Sequence, residues 1–467
     1  MLTVAEFARS LPQAALQGDG RVRIDRVSTD SRTLEPGALF VALRGERFDG
    51  HDHAAQAVAR GAVALLVDHP LDLPGPTQVP QIVVAETRRA LGQAAAAWRA
   101  RFELPLIAVT GSNGKTTVTQ MIAAVLAQAH GEKKRLATRG NLNNDIGLPL
   151  MLFELTVQHR VAVLELGMNH PGEIGYLAQL AKPTVAVVNN AQREHQEFMA
   201  SVEATAVENG AAIDALPAEG VVVFPADDGC AAIWRRKAGT RRVLDFARSG
   251  EATITAEVTP TVEGSRLSIA SPAGLIDVDL PVPGAHNVHN ALAATAAAIA
   301  VGATPPQIAA GLASFRPVAG RGVRHALAGG ALLVDDSYNA NPDSVRAAID
   351  LLAALPAPRV LVLGDMGEVG DQGPQFHREV GAYAAERHID LLLALGPASR
   401  DGVAAFGPRG RHFESVEALT AAVRDAARGA GSLLVKGSRF MRMERVVQAL
   451  IQPAAVASRE QNKEGTH

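Results

Sequence analysis

One stretch of the chain restricts its fold more than any other: an apolar run, a glycine-rich loop and a helical pattern follow one another between residues 106 and 126. The run 106–110, Leu-Ile-Ala-Val-Thr, is short and apolar, as buried parallel strands are. The loop 111–117, Gly-Ser-Asn-Gly-Lys-Thr-Thr, follows at once. Backbone amides of such a loop can surround phosphate oxygens, and a helix N-terminus adds positive potential. The order predicts a phosphate-binding loop at the carboxyl end of a strand.

The loop residues predict a nucleoside triphosphate as the ligand. Lys115 would reach the outer phosphates, and the Thr116 hydroxyl could bind Mg²⁺. The strict motif has glycine where Val109 stands, although the flanking strand and helix are those that the motif requires. The candidate ATP-binding residues of the loop are Gly111, Ser112, Asn113, Gly114, Lys115, Thr116 and Thr117. Because kinases, hydrolases and ligases share this loop, other residues must decide the reaction.

Short apolar runs alternate with helical patterns along most of the chain, which predicts an α/β fold built on parallel sheets. At 467 residues the chain is too long for one hydrophobic core, so we expect three domains. The central one is a P-loop sheet with a small antiparallel annex at 252–282, and the C-terminal one is Rossmann-like. The predicted ranges are 1–103, 104–317 and 318–455, followed by a polar, disordered tail at 456–467.

Composition excludes several function classes. The 45 basic and 48 acidic residues nearly cancel, so neither nucleic acid nor an anionic membrane is an expected partner. Cys230 is the single cysteine, and Glu6 and Arg9 interrupt any secretory apolar region. The apolar tract 291–303 is shorter than the ~20 residues that span a bilayer. We therefore expect a cytoplasmic protein without a membrane span, and a monomer.

Two polar residues at strand ends are candidate metal ligands. Glu165 ends the predicted strand 161–166, and His195 follows the strand 185–189. Carboxyl ends of parallel strands meet at one edge of a sheet, where a carboxylate could hold Mg²⁺ against a triphosphate. Taken alone, Glu165 is also consistent with a solvated carboxylate, and His195 with a structural histidine.

Short motifs are spread over nearly the whole chain. They lie at 28–32, 37–45, 48–51, 110–117, 140–147, 165–167, 284–290, 320–321, 335–342, 364–368 and 435–439. Taken in order, these motifs resemble those of one family, the Mur ligases of bacterial cell-wall synthesis. Within the family, 141–145 and 336–342 look like the member that adds D-alanyl-D-alanine, and the Asp-Asn-Pro-Arg motif of the diamino-acid-adding member is absent.

The resemblance implies an ATP-dependent amide ligase. It would phosphorylate the terminal carboxylate of UDP-N-acetylmuramoyl-tripeptide, and the amine of D-alanyl-D-alanine would attack the acyl phosphate. Lys115, Glu165, His195 and Arg321 would be catalytic, with Thr116, Glu165 and His195 holding Mg²⁺. The other implied contacts are Asn287, Asn290, Arg321 and Asp336 for ATP, Ser31, Arg32, Gly45, Asp49, His51, Asn141 and Asn144 for the UDP-linked substrate, and Lys436 and Arg439 for the dipeptide.

The sequence departs from the family at one position. Family members carry a lysine about fourteen residues after the magnesium-linked histidine, carbamylated to bind a second metal. Here that position is Asn209, and no lysine occurs between Lys182 and Lys237. We expect Glu208, as first choice, or the neutral Asn209 itself to replace the carbamate.

Three other readings compete with this one. The diamino-acid-adding Mur ligase and a folylpolyglutamate-type ligase share the loop and the fold. A nucleotide-regulated switch protein would bind ATP without joining any substrates. For a ligase whose three domains hold three substrates, we expect an open form without ligands, with hinges near Leu104 and at 315–320.

Overall fold

The computed structural model describes residues 1–73, 79–194, 196–261 and 263–452. The predicted tail at 456–467 and the last three residues of the predicted range 318–455 lie outside the described residues. Three mostly parallel sheets, each with helices packed on it, follow one another along the chain. The predicted α/β fold class, with its antiparallel annex, is confirmed.

The N-terminal part is built on a five-stranded sheet in the order β2-β7-β6-β5-β4, beside the two-stranded pair β1-β3. Strands β4 to β7 run parallel, and β2 joins the edge antiparallel to β7. Its strands are β1 (Leu2–Thr3), β2 (Ala15–Gln17), β3 (Arg23–Ile24), β4 (Arg26–Ser28), β5 (Ala38–Val41), β6 (Ala64–Val67) and β7 (Gln81–Val83). Its helices are α1 (Val4–Arg9), α2 (Ala54–Ala59) and α3 (Thr87–Arg99).

The central part contains a six-stranded, wholly parallel sheet in the order β13-β12-β11-β8-β10-β9. A three-stranded antiparallel sheet, β14-β15-β16, forms the annex. The strands are β8 (Leu106–Thr110), β9 (Arg135–Ala137), β10 (Val161–Glu165), β11 (Val185–Val188), β12 (Val221–Val223), β13 (Arg242–Val243), β14 (Thr255–Pro260), β15 (Ser265–Ser271) and β16 (Gly274–Leu280). The helices are α4 (Lys115–His130), α5 (Gly147–Phe153), α6 (Glu173–Ala181), α7 (Val202–Asn209), α8 (Ala211–Asp214), α9 (Ala231–Ala238), α10 (Ala285–Ala300) and α11 (Pro305–Ser314).

The C-terminal part has a second six-stranded sheet in the order β17-β18-β22-β19-β20-β21, parallel except for β17. Asn341 caps α12 and Pro342 is its first residue, as the sequence predicts. The strands are β17 (Val323–Ala326), β18 (Leu332–Asp336), β19 (Arg359–Gly364), β20 (Leu391–Leu395), β21 (Gly410–Phe413) and β22 (Ser432–Lys436). The helices are α12 (Pro342–Ala353), α13 (Gly373–Glu386), α14 (Ser399–Phe406), α15 (Val416–Ala427) and α16 (Glu444–Ile451).

Helix α3 joins the N-terminal sheet to the central one. Its apolar face shares one core with α5 and α6 of the central part. The Trp98 indole nitrogen donates a hydrogen bond to the carbonyl of Leu155 at 3.2 Å. The buried Arg99 guanidinium donates to the carbonyls of Ala181 (2.9 Å) and Leu104 (3.3 Å). These bonds fasten the connection at Leu104, where the sequence predicts a hinge.

No helix in the described part of the chain is both long and apolar enough to cross a membrane. The longest, α4 and α10, have 16 residues each, fewer than a bilayer requires.

Candidate active site

The glycine loop lies between β8 and α4, at the carboxyl end of a central strand. Gly111 and Gly114 have φ of +128° and +80°, values that side chains rarely adopt. A Cβ on Gly114 would also lie 2.4 Å from Oδ1 of Asn290 and 2.7 Å from Nδ2 of Asn189. The loop therefore needs glycine at 114 both for its backbone conformation and for its contact with the start of α10.

Residues that follow β11 hold the loop from the side. The carbonyl oxygen of Asn113 accepts hydrogen bonds from Nδ2 of Asn189 (2.8 Å) and of Asn190 (3.0 Å). The amide nitrogen of Asn113 donates to Oδ1 of Asn190 at 2.9 Å. The Ser112 hydroxyl donates to the carbonyl of Gln192 and accepts from its amide. A loop fixed in this way presents its remaining amides to a phosphate with little rearrangement.

Lys115 lies at the mouth of this loop and is mostly buried. Its ammonium donates to the carbonyls of Gly111 (2.6 Å) and Ser112 (3.1 Å), and it pairs with the buried Glu194 at 3.0 Å. Glu194 is not among the site residues that the sequence predicts. A buried carboxylate holds the lysine charge in place before an anion arrives, because an unpaired buried charge is costly.

Thr116 and Glu165 come together at the edge of the sheet. The Thr116 hydroxyl donates to Oε2 of Glu165 at 2.8 Å, and the Asn143 amide donates to Oε1 at 2.7 Å. Thr138 accepts from the Glu165 backbone amide at 2.9 Å. A hydroxyl in the first turn after a phosphate loop and a carboxylate at the end of the neighbouring strand β10 are both oxygen ligands, and together they fit Mg²⁺. His195, the third predicted ligand, lies outside the described residues, so its role stays a prediction.

The predicted adenosine contacts lie on both sides of the interface between the central and C-terminal parts. Asn287 and Asn290 are in the first turns of α10, where Oδ1 of Asn290 accepts from Asn189 at 3.0 Å. Asp336, at the end of β18, pairs with the buried Lys436 at 2.6 Å. Lys436 is thus held by the predicted ribose ligand.

The P-loop itself contacts the C-terminal part. The side-chain amides of Asn113 and Asn341 bond to each other in both directions, at 2.9 and 3.3 Å. Arg193 bridges the same interface, pairing with Asp343 at 2.6 Å and with Glu379 at 2.7 Å. These carboxylates raise the pKa of Arg193, and the guanidinium lowers the pKa of Glu379. These contacts dock the central and C-terminal parts against each other in the structure. The open form expected without ligands stays a prediction.

Two further predicted cations flank one aromatic ring. The Arg321 guanidinium lies 4.2 Å from the ring centroid of Tyr338, and that of Arg439 lies 5.6 Å from it. Arg439 is exposed and also pairs with Glu444 at 3.1 Å. Two guanidinium groups on one ring form a positively charged surface suited to a carboxylate or a phosphate.

The N-terminal candidates form a separate cluster around β4, β5 and β6. The Ser31 hydroxyl donates to Gln56 at 2.8 Å. Arg32 is exposed and bonds through two nitrogens to Asp30, which lowers the pKa of that carboxyl to about 2. Nδ1 of the buried His51 forms a hydrogen bond with Oδ1 of Asp49 at 2.5 Å. Gly45 packs against the Phe48 ring at a distance where a Cβ would clash.

The loop before α5 contacts the metal-binding edge through Asn143 and Glu165. Oδ1 of Asn144 accepts from the amides of Ile146 and Gly147 at the start of α5, and Asn141 is exposed. Arg88 of α3 pairs with Asp145 at 2.5 Å. These two residues line a cavity of about 300 Å³ between the N-terminal and central parts.

The two candidates for the missing carbamate differ in position. Oε1 of Glu208 accepts from the amide of Ile174 at 2.9 Å, in the first turn of α6. Asn209 is 1% exposed, and its Oδ1 accepts from the amide of Gly111 in the P-loop at 3.0 Å. Asn209 therefore contacts the P-loop directly, whereas the Glu208 side chain is directed to α6, and which of them replaces the carbamate stays a prediction.

Comparisons with known proteins agree with this architecture. Three family models match the chain: the Mur ligase family catalytic domain at 23–99, the Mur ligase middle domain at 109–298, and the Mur ligase glutamate ligase domain at 320–439. The chain belongs to the Mur ligase family, whose members use ATP and Mg²⁺.

Individual relatives narrow the comparison. The chain is 44% identical to UDP-N-acetylmuramoyl-tripeptide--D-alanyl-D-alanine ligase of Escherichia coli over 93% of this chain and 95% of that protein. A crystal structure of MurF from Acinetobacter baumannii matches with a TM-score of 0.90 and 34% identity, covering 96% of this chain and 98% of that one. MurF ligase from Thermotoga maritima, solved in complex with ADP, matches with a TM-score of 0.80 and 25% identity, covering 92% and 97%.

Proposed function

We propose that this protein joins D-alanyl-D-alanine to the terminal carboxylate of UDP-N-acetylmuramoyl-tripeptide, with conversion of ATP to ADP and phosphate. The observation that carries the proposal is a P-loop whose Asn113 bonds directly to Asn341 of the C-terminal part. A nucleotide in this loop lies against both parts at once, as a reaction between ATP and a third substrate requires. The 44% identity to the Escherichia coli ligase supports the choice of substrates.

The reaction has two steps. A carboxylate oxygen of the tripeptide attacks the γ-phosphorus of ATP, and ADP leaves, which forms an acyl phosphate. The amine nitrogen of the dipeptide then attacks the acyl carbon, the carbon–oxygen bond to phosphate breaks, and a proton leaves the nitrogen. Both reacting groups of the first step are anions, so cations must offset their repulsion before the oxygen and phosphorus can approach.

Residues of the P-loop carry the first step. Lys115 binds the outer phosphates. Because its ammonium has three N–H donors, it can turn one of them to a phosphate and keep part of its bonding to the loop carbonyls and Glu194. Thr116 and Glu165 hold Mg²⁺, with His195 as the predicted third ligand. The metal, when bound, neutralises charge on the phosphates. Asn287 and Asn290 contact the adenine, and Asp336 contacts the ribose.

The other two substrates bind on either side of the nucleotide. The UDP end lies on the N-terminal cluster of Ser31, Arg32, Gly45, Asp49 and His51, and the peptide passes Asn141 and Asn144 towards Glu165. Arg321 stabilises the transferred phosphoryl group. The dipeptide carboxylate binds at the Tyr338 surface through Arg439, because Lys436 is neutralised by Asp336. Both the UDP-linked precursor and ATP are cytoplasmic metabolites, so we place the reaction in the cytoplasm.

The test measures ADP release by purified protein with ATP, Mg²⁺ and UDP-N-acetylmuramoyl-tripeptide, with and without D-alanyl-D-alanine, and identifies the product by mass. We expect release that requires both substrates and a product heavier than the tripeptide substrate by the dipeptide less one water. Release with a diamino acid and the UDP-linked dipeptide instead would assign the neighbouring Mur ligase activity. ATP binding without release under any combination would indicate a nucleotide switch.

A further inference from the structure

The side chain of Asn209 is a buried polar group whose donor end has no partner. Asn209 ends α7 and is 1% exposed. Its Oδ1 accepts from the amide of Gly111 at 3.0 Å, and its main-chain carbonyl accepts from the hydroxyl of Thr110 at 3.1 Å. Its Nδ2 is buried and has no hydrogen-bond partner among the described residues. A buried N–H without an acceptor is costly, so a ligand that supplies an acceptor here is favoured.

The position of the Asn209 side-chain amide indicates which ligand supplies this acceptor. Gly111 is held on both sides: its amide nitrogen bonds to Asn209, and its carbonyl oxygen accepts from the ammonium of Lys115 at 2.6 Å. Gly111 therefore lies between the neutral side-chain amide of Asn209 and the Lys115 ammonium, the cation that binds the outer phosphates. An anion that reaches Lys115 therefore meets a part of the loop, Gly111, that the Asn209 side chain also contacts.

Asn209 also occupies one hydrogen-bond donor of the loop, the Gly111 amide, and offers its own Nδ2 as another. The Gly111 amide points at the Asn209 oxygen, so this amide is not available to a phosphate in the arrangement seen here. A side-chain amide that accepts through its oxygen can donate through its nitrogen at the same time. Asn209 thus occupies the Gly111 amide with Oδ1, and it presents its own Nδ2 donor from the same planar side-chain amide.

We propose that Nδ2 of Asn209 donates a hydrogen bond to the outer phosphate of ATP, and that this neutral contact serves in place of a negatively charged metal ligand at position 209. This inference deepens the proposed function and rests on ATP as the phosphoryl donor. The Asn209 side-chain amide cannot form a carbamate, so the chain binds ATP and reacts without a carbon-dioxide-derived group at this position. Hydrogen bonds to charged acceptors are the stronger ones, and one that forms only with the outer phosphate favours ATP over ADP.

The test compares ATP and ADP binding by calorimetry in the full-length protein and its variants, with no peptide substrate present. For Asn209→Ala we expect ATP affinity to fall about 10- to 100-fold while ADP affinity changes less than about threefold. Asn209→Asp keeps the acceptor for Gly111 but replaces the donor with a negative charge. It should lose more ATP affinity than the alanine variant, and added Mg²⁺ should restore part of the loss.

Glu208→Gln is the matched control, because Glu208 is the neighbouring residue on α7 and its side chain bonds to Ile174 instead. It should bind both nucleotides as the parent protein does. Equal losses of ATP and ADP affinity in Asn209→Ala, or no loss in either Asn209 variant, would overturn the proposal. Thermal melting of each variant identifies unfolding. Should the alanine variant unfold, the isosteric aspartate variant decides by itself. Since nucleotide binding is measured without the other substrates, failure of the proposed ligase reaction remains distinguishable.

Discussion

Arg193 provides the sharpest test of how the central and C-terminal parts dock. Its guanidinium bonds to both carboxylate oxygens of Asp343 and of Glu379, at distances from 2.6 to 3.2 Å. Its backbone amide adds a bond to Asp343 at 2.9 Å, which a substitution leaves in place. The Arg193 side chain is 24% exposed, so its ion pairs are screened less than those on an open surface.

The expected magnitude follows from these contacts. A hydrogen bond between charged groups is worth about 1.5–3 kcal/mol, whereas fully exposed pairs contribute about 0–1 kcal/mol. For a partly exposed guanidinium with two carboxylates, replacement by glutamine should cost about 2 kcal/mol of docking free energy. That is about a 30-fold change in the docking equilibrium. A docked fraction of about 95% would then fall to about 40%.

The assay is a distance measurement between two exposed positions, Val157 in the central part and Arg428 in the C-terminal part, labelled after replacement by cysteine with Cys230 changed to alanine. In Arg193→Gln, the fraction of molecules whose two labels lie at the distance of the docked arrangement should fall. Arg346→Gln is the control, because Arg346 also pairs with Glu379 but lies within the C-terminal part. Unchanged distances in Arg193→Gln, or equal changes in both variants, would refute this account of docking.

Three further predictions concern the nucleotide and metal sites. Lys115→Met should lower the rate of ADP release about 10²- to 10³-fold, since one transition-state cation is lost, and should also lower the melting temperature because it removes the ion pair with the buried Glu194; steady-state kinetics at a temperature where the variant is folded would test this, and a change only in KM would contradict it. Glu165→Gln keeps the bond to Thr116 but loses a charged ligand, so the Mg²⁺ concentration for half-maximal activity should rise at least about tenfold; a metal titration that coincides with that of the parent protein would argue against the site. Asp336→Asn should destabilise the fold by about 1–3 kcal/mol because it leaves the buried Lys436 without its counter-charge, and adding Lys436→Met should recover much of the loss in urea unfolding, whereas additive losses would exclude the coupling.

The sequence predicts the individual elements around the nucleotide well. Strand β8 coincides with the prediction, as do the cap and first residue of α12, whereas α4 already begins at Lys115, inside the predicted loop 111–117. Each of these depends on nearby residues: the backbone freedom of glycine, the fixed φ of proline, and apolar spacing. Edge strands were harder to predict, and β13, β17 and β21 have no strong alternating pattern.

Partners from distant parts of the chain account for what the sequence left open. Glu194 on Lys115, Asn143 on Glu165, and Asn341 on Asn113 are 79, 22 and 228 positions away from the residues they contact. No spacing rule connects such residues. Glu208 and Asn209 contact different elements, Ile174 and Gly111, because adjacent residues on a helix point in different directions.

The sequence by itself determined the phosphate loop, the α/β class and the family resemblance, because these depend on local backbone preferences and on motifs read in order. The tertiary structure alone decided which side chain holds each functional group: Glu194 on the P-loop lysine, Asp336 on Lys436, Arg193 between two parts of the chain, and Asn209 against Gly111. The physical reason is that a buried polar atom takes the nearest available partner, and only the packing of separate sheets and helices brings that partner within hydrogen-bond distance.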